Sequence, residues 1–221
     1  MHEKLSDGEH HAVLYRDINN LNKLLEYNKA NPDRNLQSTD YTLMSKMAPF
    51  TTKRLTEWFV ANRQDFSLKL ESKLTYEDVR DHNIIFIGQY KTMNLSMSFF
   101  LKNSKTFSTF GDGFRYSGES VTEDYNSHFG KSGYIEYAMV SYTSISPGKS
   151  AMYFVSNNDF GTMAVVNHFT TPAFLKEFYR QLPSGSCSFN ALFKVEGIER
   201  VDISCELVKL EVIDSGETVS N

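Results

Sequence analysis

The stretch that decides the fold is Asn83-Ile84-Ile85-Phe86-Ile87-Gly88. An unbroken apolar run without polar alternation is typical of a strand buried on both faces, as in a parallel sheet. Asp81 and His82 precede the run, and Gly88 ends it. The run therefore predicts a central strand of an open sheet, with helices packed above and below it.

The segments on either side extend this pattern. Alternating leucines predict a strand over 67–71, and apolar spacing predicts a helix over 95–102. Two further strands are predicted over 134–142 and 150–156, joined by a turn at Pro147-Gly148. Thr171 followed by Pro172 predicts the start of another helix.

The C-terminal third predicts an antiparallel hairpin. Apolar residues occupy the odd positions over 187–195, whereas over 201–213 the apolar parity changes between Leu207 and Val208. Such a change indicates a bulge or a strand buried on both sides. The fold class predicted is α/β: a three-layer sandwich with a mixed, largely parallel central sheet and a C-terminal antiparallel hairpin. The expected domain organisation is a flexible leader over 1–12, a single α/β domain over 13–213 and a disordered tail over 214–221.

Composition excludes several classes. The 221 residues are 40% hydrophobic and 14% aromatic, which is enough for a sizeable core. The net charge of −4 argues against direct nucleic-acid binding. Since no apolar run approaches the ~18 residues that span a bilayer, we expect no membrane insertion by this chain. The expected location is the cytoplasm, with the alternative that the chain is the soluble part of a larger membrane-anchored protein.

The sequence predicts no metal, no cofactor and no assigned catalytic residue. Its histidines show no i, i+4 ligand pairs, and the turn after Gly88 lacks the second and third glycines of a dinucleotide fingerprint. Cys187 and Cys205 are expected on neighbouring strands but not opposite each other, so no disulfide is predicted.

Polar segments follow two of the predicted strands. In open α/β sheets, ligands bind beyond the carboxyl ends of the strands. Glycine permits close approach of a backbone, and free helix N–H groups hold anions. We therefore expect a small polar or anionic ligand at one edge, bound by Gly88, Gln89, Tyr90, Thr92 and Asn94 and by Asn157, Asn158, Asp159, Gly161 and Thr162.

Short motifs between residues 65 and 213 resemble one kind of known domain. They are Leu74-Thr75-Tyr76-Glu77-Asp78, the strand run with Gly88 and Asn94, Tyr137-Ala138-Met139-Val140, Pro147-Gly148-Lys149, residues 158–162 before Phe169-Thr170-Thr171-Pro172, and the hairpin over 189–212. Together they resemble an uncharacterised bacterial α/β domain that occurs beside DNA-binding, membrane-anchored or signalling modules. The resemblance implies a sensory or regulatory role by association and supplies no catalytic residues.

The leading functional interpretation is a ligand-sensing or regulatory domain of a bacterial signalling or transcription-related protein. One alternative is a protein–protein interaction or assembly domain, including a homo-oligomer, that uses aromatic residues of 107–116 and 134–142. A further alternative is a hydrolase, which requires a carboxylate and an imidazole within about 3 Å. The candidates for that pair are Asp159 or Asp112 with His128 or His168.

Overall fold

The structure is a computed structural model. It describes residues 2–4, 10–12, 18, 21–34, 36–37, 46–130, 133–183, 188–198 and 201–213. The chain divides into two compact units, Met1–Met44 and Ser45–Asn221. The expected boundaries at residues 12 and 213 stay predictions, and the expected tail over 214–221 lies outside the described residues.

The first unit is a small sheet with one described helix. Its elements are β1 (His2–Lys4), β2 (His10–Ala12), α1 (Leu21–Ala30) and β3 (Leu36–Gln37), and β1 pairs antiparallel with both other strands. The Asn28 side chain donates to the Leu36 carbonyl at 2.8 Å and accepts from the Leu36 N–H at 3.0 Å. These two bonds connect α1 to β3, where the Leu36 side chain is buried.

The second unit contains the remaining described elements. Its α-helices are α2 (Met47–Ala61), α3 (Tyr76–Asp81), α4 (Asp159–Phe169) and α5 (Pro172–Tyr179), and short 3₁₀ helices cover Glu71–Lys73, Tyr90–Thr92 and Leu95–Ser98. Its strands are β4 (Ile84–Gln89), β5 (Phe107–Phe110), β6 (Gly113–Ser117), β7 (Thr122–Asn126), β8 (His128–Gly130), β9 (Gly133–Ser146), β10 (Lys149–Ser156), β11 (Ser188–Ile198) and β12 (Val201–Ile213).

The main sheet is mixed, as predicted, but it is not largely parallel. The strand order is β12-β11-β9-β10-β4, and β8 also pairs with β9. Only β4 and β10 run parallel among the described pairs of this sheet. The reason lies in the connections, because tight hairpins such as the one at Gly148 (φ +71°) force antiparallel neighbours, whereas parallel neighbours need long crossovers.

The run at Ile84–Ile87 forms a strand, but the prediction that it lies in the middle of the sheet is wrong. β4 pairs only with β10 among the described strands, so it is an edge strand. Both faces of β4 do carry apolar contacts, since Phe86 packs on one side and Ile87 on the other. Ile85, however, is 40% exposed. An unbroken apolar run therefore indicated two covered faces without showing whether both strand edges are paired.

Different elements cover the two faces of the main sheet. α4 and α5 cover one face, where Phe160, Val165 and Phe178 pack on alternate residues of β9 and β11. The antiparallel sheet β5-β6-β7 contributes Phe107 and Phe114 to the core on the other face. The expected sandwich with helices on both faces is therefore not confirmed. The predicted helix over 95–102 is a single 3₁₀ helix, Leu95–Ser98, and no strand forms over 67–71.

α3 begins at a capping box in which Thr75 and Asp78 exchange side-chain and backbone hydrogen bonds. Several local predictions are confirmed. α5 begins at Pro172, as the Thr171-Pro172 pair predicts. The C-terminal hairpin β11–β12 is antiparallel. Its register shifts so that Leu207 and Lys209 face consecutive residues of β11, which leaves Val208 as the bulge expected from the change of parity. Cys205 is a free thiol, while Cys187 lies outside the described residues.

Removal of the Phe178 side chain tests the helix-side core. Phe178 is 2% exposed and contacts the rings of Phe169, Phe189 and Phe193, whereas its neighbour Tyr179 is 64% exposed. We expect Phe178→Ala to lower the free energy of unfolding by about 3–5 kcal/mol through lost burial and a cavity. Tyr179→Ala on the same helix should change it by no more than about 0.5 kcal/mol. Urea unfolding followed by circular dichroism measures both, and equal losses would contradict this assignment of the core.

Candidate functional site

The structure brings the two predicted ligand segments together. β4 and β10 are parallel neighbours, and Gln89 at the end of β4 lies opposite Ser156 at the end of β10. The segments that follow, 90–94 and 157–162, therefore leave the sheet at the same edge. The Thr162 hydroxyl donates to the Gly88 carbonyl at 3.3 Å and connects them directly.

Most of the predicted residues after β4 bind other parts of the chain. Tyr90 is buried, and its hydroxyl donates to the Gly111 carbonyl at 2.8 Å. Thr92 donates from its hydroxyl to the Gln89 carbonyl at 2.9 Å, and the Asn94 N–H donates to Glu71 Oε1 at 2.8 Å. These contacts hold the segment in place, so its polar groups are largely used inside the protein.

The Tyr90 phenol stays neutral over the physiological range. Burial raises its pKa to about 12, and the negative charges of Asp112 and Glu136 act in the same direction. Tyr90 therefore serves as a neutral hydrogen-bond donor that fixes the 3₁₀ turn after β4.

The turn after β10 is also fixed from within. Ser156 and Thr162 are both buried, and their hydroxyl oxygens lie 2.8 Å apart. The Thr162 N–H donates to Ser156 Oγ at 3.1 Å, and the Ser156 hydroxyl donates to the Asn158 carbonyl. This network sets the angle at which α4 leaves the strand.

Glu136 is the residue that the sequence analysis missed. It lies on β9, has 0% of its surface exposed, and accepts hydrogen bonds from the Asn158 N–H and, at 2.7 Å, from the Gly161 N–H. Both donors belong to the N-terminus of α4, whose first N–H groups have no partner within the helix. The anion expected at this helix end is therefore a carboxylate of the protein itself.

A signal for Glu136 was present in the sequence. It is a lone carboxylate at an inward position of a strongly apolar strand, in phase with Ala138 and Val140. A buried carboxylate is costly unless it is hydrogen-bonded, so such a residue indicates a specific set of donors nearby.

The protonation of Glu136 depends on two opposing effects. Burial raises its pKa to about 7, while the hydrogen bonds from the Gly161 and Asn158 N–H groups lower it. No basic side chain among the described residues forms an ion pair with it. The helix N-terminus is thus the main source of positive potential for this carboxylate.

Gln89 and Asn157 are predicted side chains that remain available at this edge. Both are half-buried, and neither side chain hydrogen-bonds to another described residue. They leave adjacent parallel strands at neighbouring positions, since Gln89 lies opposite Ser156. The two carboxamides together offer donors and acceptors above a rigid turn.

The hydrolase pair is not assembled among the described residues. His168 Nδ1 lies 2.9 Å from the Ala164 carbonyl of its own helix, and its ring packs edge-on against Phe174. His128 is exposed on β8. Neither imidazole forms an ion pair with a carboxylate in the described part of the chain, and Asp112 binds Lys91 at 2.6 Å.

A groove of about 230 Å³ lies elsewhere on the second unit, between α2 and the start of α5. Arg54, Trp58, Thr170 and Pro172 line it, and none of the predicted ligand residues does. Arg54 donates to Asn167 Oδ1 and lies 3.9 Å from Glu57, so its charge is already engaged.

Comparison of the chain with protein-family models, curated proteins and solved structures found no match. The resemblance to an uncharacterised bacterial α/β domain therefore stays a prediction. Within the described residues, no helix has the length and apolar content to cross a membrane, and no three metal-ligand side chains cluster.

Replacement of Gly161 tests the close approach of Glu136 to α4. A Cβ at Gly161 would lie 3.0 Å from Glu136 Cδ. Although alanine is normally favoured over glycine in a helix by about 0.5–1 kcal/mol, we expect Gly161→Ala to lower the free energy of unfolding by about 1–3 kcal/mol. In a Glu136→Ala background the contact is absent, so the same change should be neutral or stabilising. Chemical denaturation of the four variants measures this, and a stabilising Gly161→Ala in the wild-type background would contradict the geometry.

Proposed function

We propose that the chain is a ligand-sensing or regulatory module that recognises a small polar ligand at the edge where β4 and β10 end. The observation that carries this proposal is the pair of half-buried carboxamides, Gln89 and Asn157, at neighbouring strand ends without a hydrogen-bonding partner among the described residues. Half-buried polar groups that lack an internal partner are available to a ligand.

The surroundings of the pair support recognition by a preorganised surface. Tyr90, Ser156 and Thr162 fix the two turns, and the Thr162–Gly88 hydrogen bond links one turn to the other. A ligand that binds side chains on turns already ordered in this arrangement loses less free energy to ordering of the protein.

The charges at this edge favour one of the two ligand classes expected from the sequence. The N–H groups of Asn158 and Gly161, the expected anion donors, bind Glu136 instead. Lys91, the basic side chain of this segment, is paired with Asp112. The proposed ligand is therefore uncharged or cationic and rich in hydrogen-bonding groups, and an anion is not proposed.

The proposed signal is a shift between two arrangements of the linked turns. A ligand changes such an equilibrium only if it binds one arrangement more tightly than the other. Contact with Gln89 and Asn157 at the same time would select the arrangement in which the Thr162–Gly88 bond is intact.

A thermal-shift screen tests the ligand proposal. We expect at least one compound from a panel of uncharged and cationic polar metabolites to raise the melting temperature of the protein. Gln89→Ala and Asn157→Ala should each lower the affinity for that compound by about tenfold or less per lost hydrogen bond. Gln181→Ala, an exposed carboxamide on another surface, is the matched control and should leave the affinity unchanged. A response only to anions, or equal effects of all three variants, would overturn the proposal.

A second candidate function, self-association, is favoured by a different observation. Leu68 and Leu70, at alternate positions of a segment outside any strand or helix, are both about two-thirds exposed. Lys69 between them binds Asp78, which anchors the segment to α3. Of the aromatic residues first expected to form a partner surface, Phe107 and Phe114 are buried and Tyr134 and Tyr142 pack on the core, whereas Phe110 is 39% exposed.

Light scattering over a range of concentrations tests self-association. If Leu68 and Leu70 contact a second copy, the wild-type mass should rise with concentration, and the double change Leu68→Glu and Leu70→Glu should keep the chain monomeric. Val201→Glu places the same charge at a similarly exposed position on the C-terminal hairpin and should not affect association. A wild-type monomer at every concentration would exclude this function.

A further inference from the structure

The Glu136 cap, defined as the Glu136 carboxylate with the N–H groups of Asn158 and Gly161, joins two elements that are distant in sequence. Asn158 is the N-cap residue of α4, and Gly161 is the third residue of that helix. Glu136 comes from β9, on the face where Ala138 and Val195 also lie. One carboxylate thus holds both the start of the helix and the turn that leads into it.

The positions of the Asn158 and Gly161 N–H groups fit a carboxylate with two accepting oxygens. Oε1 accepts from Asn158 and Oε2 from Gly161, so each oxygen has its own donor. The absence of a Cβ at Gly161 lets the carboxylate reach the helix, since a Cβ there would meet the Glu136 side chain at 3.0 Å. The N-terminal end of the α4 dipole also favours a negative charge at this place.

In the part of the chain that the structure describes, the charges that face Glu136 do not include a compensating cation. Tyr90, beyond the end of β4, lies near enough for the Glu136 charge to contribute to its raised pKa. Asp159 in the first turn of α4 and Ser156 at the end of β10 add no positive charge. The carboxylate therefore depends mainly on its two N–H donors, and the side chains of Ser156 and Asn158 act on its pKa in the same direction.

The neighbouring strands β11 and β8 contribute no partner either. Val195 lies opposite Glu136 on β11, and the residues on either side of it, Lys194 and Glu196, pair with each other. His128 on β8 lies opposite Ile135, one residue away from Glu136 on β9, and is exposed.

We propose that the Glu136 cap is a proton-sensitive switch that controls the order of the turn over 156–162 and of the first turn of α4. A protonated carboxyl group gains an O–H donor, and the oxygen that carries the proton becomes a much weaker acceptor. Protonation therefore weakens one of the two hydrogen bonds from the Asn158 and Gly161 N–H groups, and the new O–H needs an acceptor of its own. This device is independent of ligand binding and acts on the turn that carries Asn157.

The direction of the pH effect follows from burial. Burial raises the pKa of Glu136 to about 7, against a usual value of 4.5. Between these two pH values the folded protein holds a proton that the unfolded chain has released, so the contribution of Glu136 to stability falls as the pH rises from 4.5 to 7 and is constant above that. The cap itself, which needs the ionised form, is complete only above pH 7.

Nuclear magnetic resonance spectroscopy of the whole chain tests the switch directly. With ¹³C-labelled glutamate, the Glu136 carboxyl carbon should titrate with a midpoint near 7, and the amide proton of Gly161 should move upfield with the same midpoint as the pH falls. Hydrogen exchange of the Gly161 amide, corrected for its intrinsic pH dependence, should be at least several-fold less protected at pH 6 than at pH 8.

Two variants separate the cap from other groups that titrate in this range. Glu136→Gln is neutral at every pH and should abolish the Gly161 transition, whereas Glu206→Gln, an exposed carboxylate on β12, should preserve it. If Glu136→Gln does not fold, the wild-type carboxyl resonance decides alone. A Glu136 resonance without a transition between pH 5.5 and 8.5, or a Gly161 amide that does not follow it, would overturn the proposal.

Discussion

The alternation of side chains along β9 is the constraint on which the second unit depends. Ala138 and Val140 enter the core beneath α4 and α5, while Met139 enters the core beneath the β5-β6-β7 sheet. Glu136, two residues before Ala138, shares its face and reaches the first turn of α4. A slip of one residue in the pairing of β9 would exchange these faces and would remove the carboxylate from its donors.

Features that depend on a few neighbouring residues could be predicted from the sequence. The capping box at Thr75, the start of α5 at Pro172 and the bulge at Val208 each follow from residue types within one turn or one strand. The antiparallel C-terminal hairpin could be predicted for the same reason. These features need no knowledge of what packs against them.

The position of β4 could not be predicted in this way. Its apolar residues correctly indicated contacts on both faces, because Phe86 and Ile87 do pack on opposite sides. Whether the second edge of β4 is paired depends on strand order, which residues far along the chain decide. The two candidate segments nevertheless meet, because their meeting requires only that β4 and β10 be parallel neighbours and not that β4 be central.

The helix N–H groups expected to bind an anion are occupied inside the protein, and the reason is again a contact between distant parts of the sequence. A helix N-terminus attracts anions because its first N–H groups have no partner within the helix. The residues 157–162 alone do not indicate that these N–H groups of α4 already have a partner in the protein. The partner, Glu136, is 25 residues earlier than Gly161 and lies on β9, which pairs with the strand that leads into α4. Because Glu136 takes these donors, the ligand recognition that we propose at this edge rests on the carboxamides of Gln89 and Asn157. Carboxamides distinguish ligands by the arrangement of hydrogen-bonding groups and not by negative charge, so the proposed surface would select for polar shape.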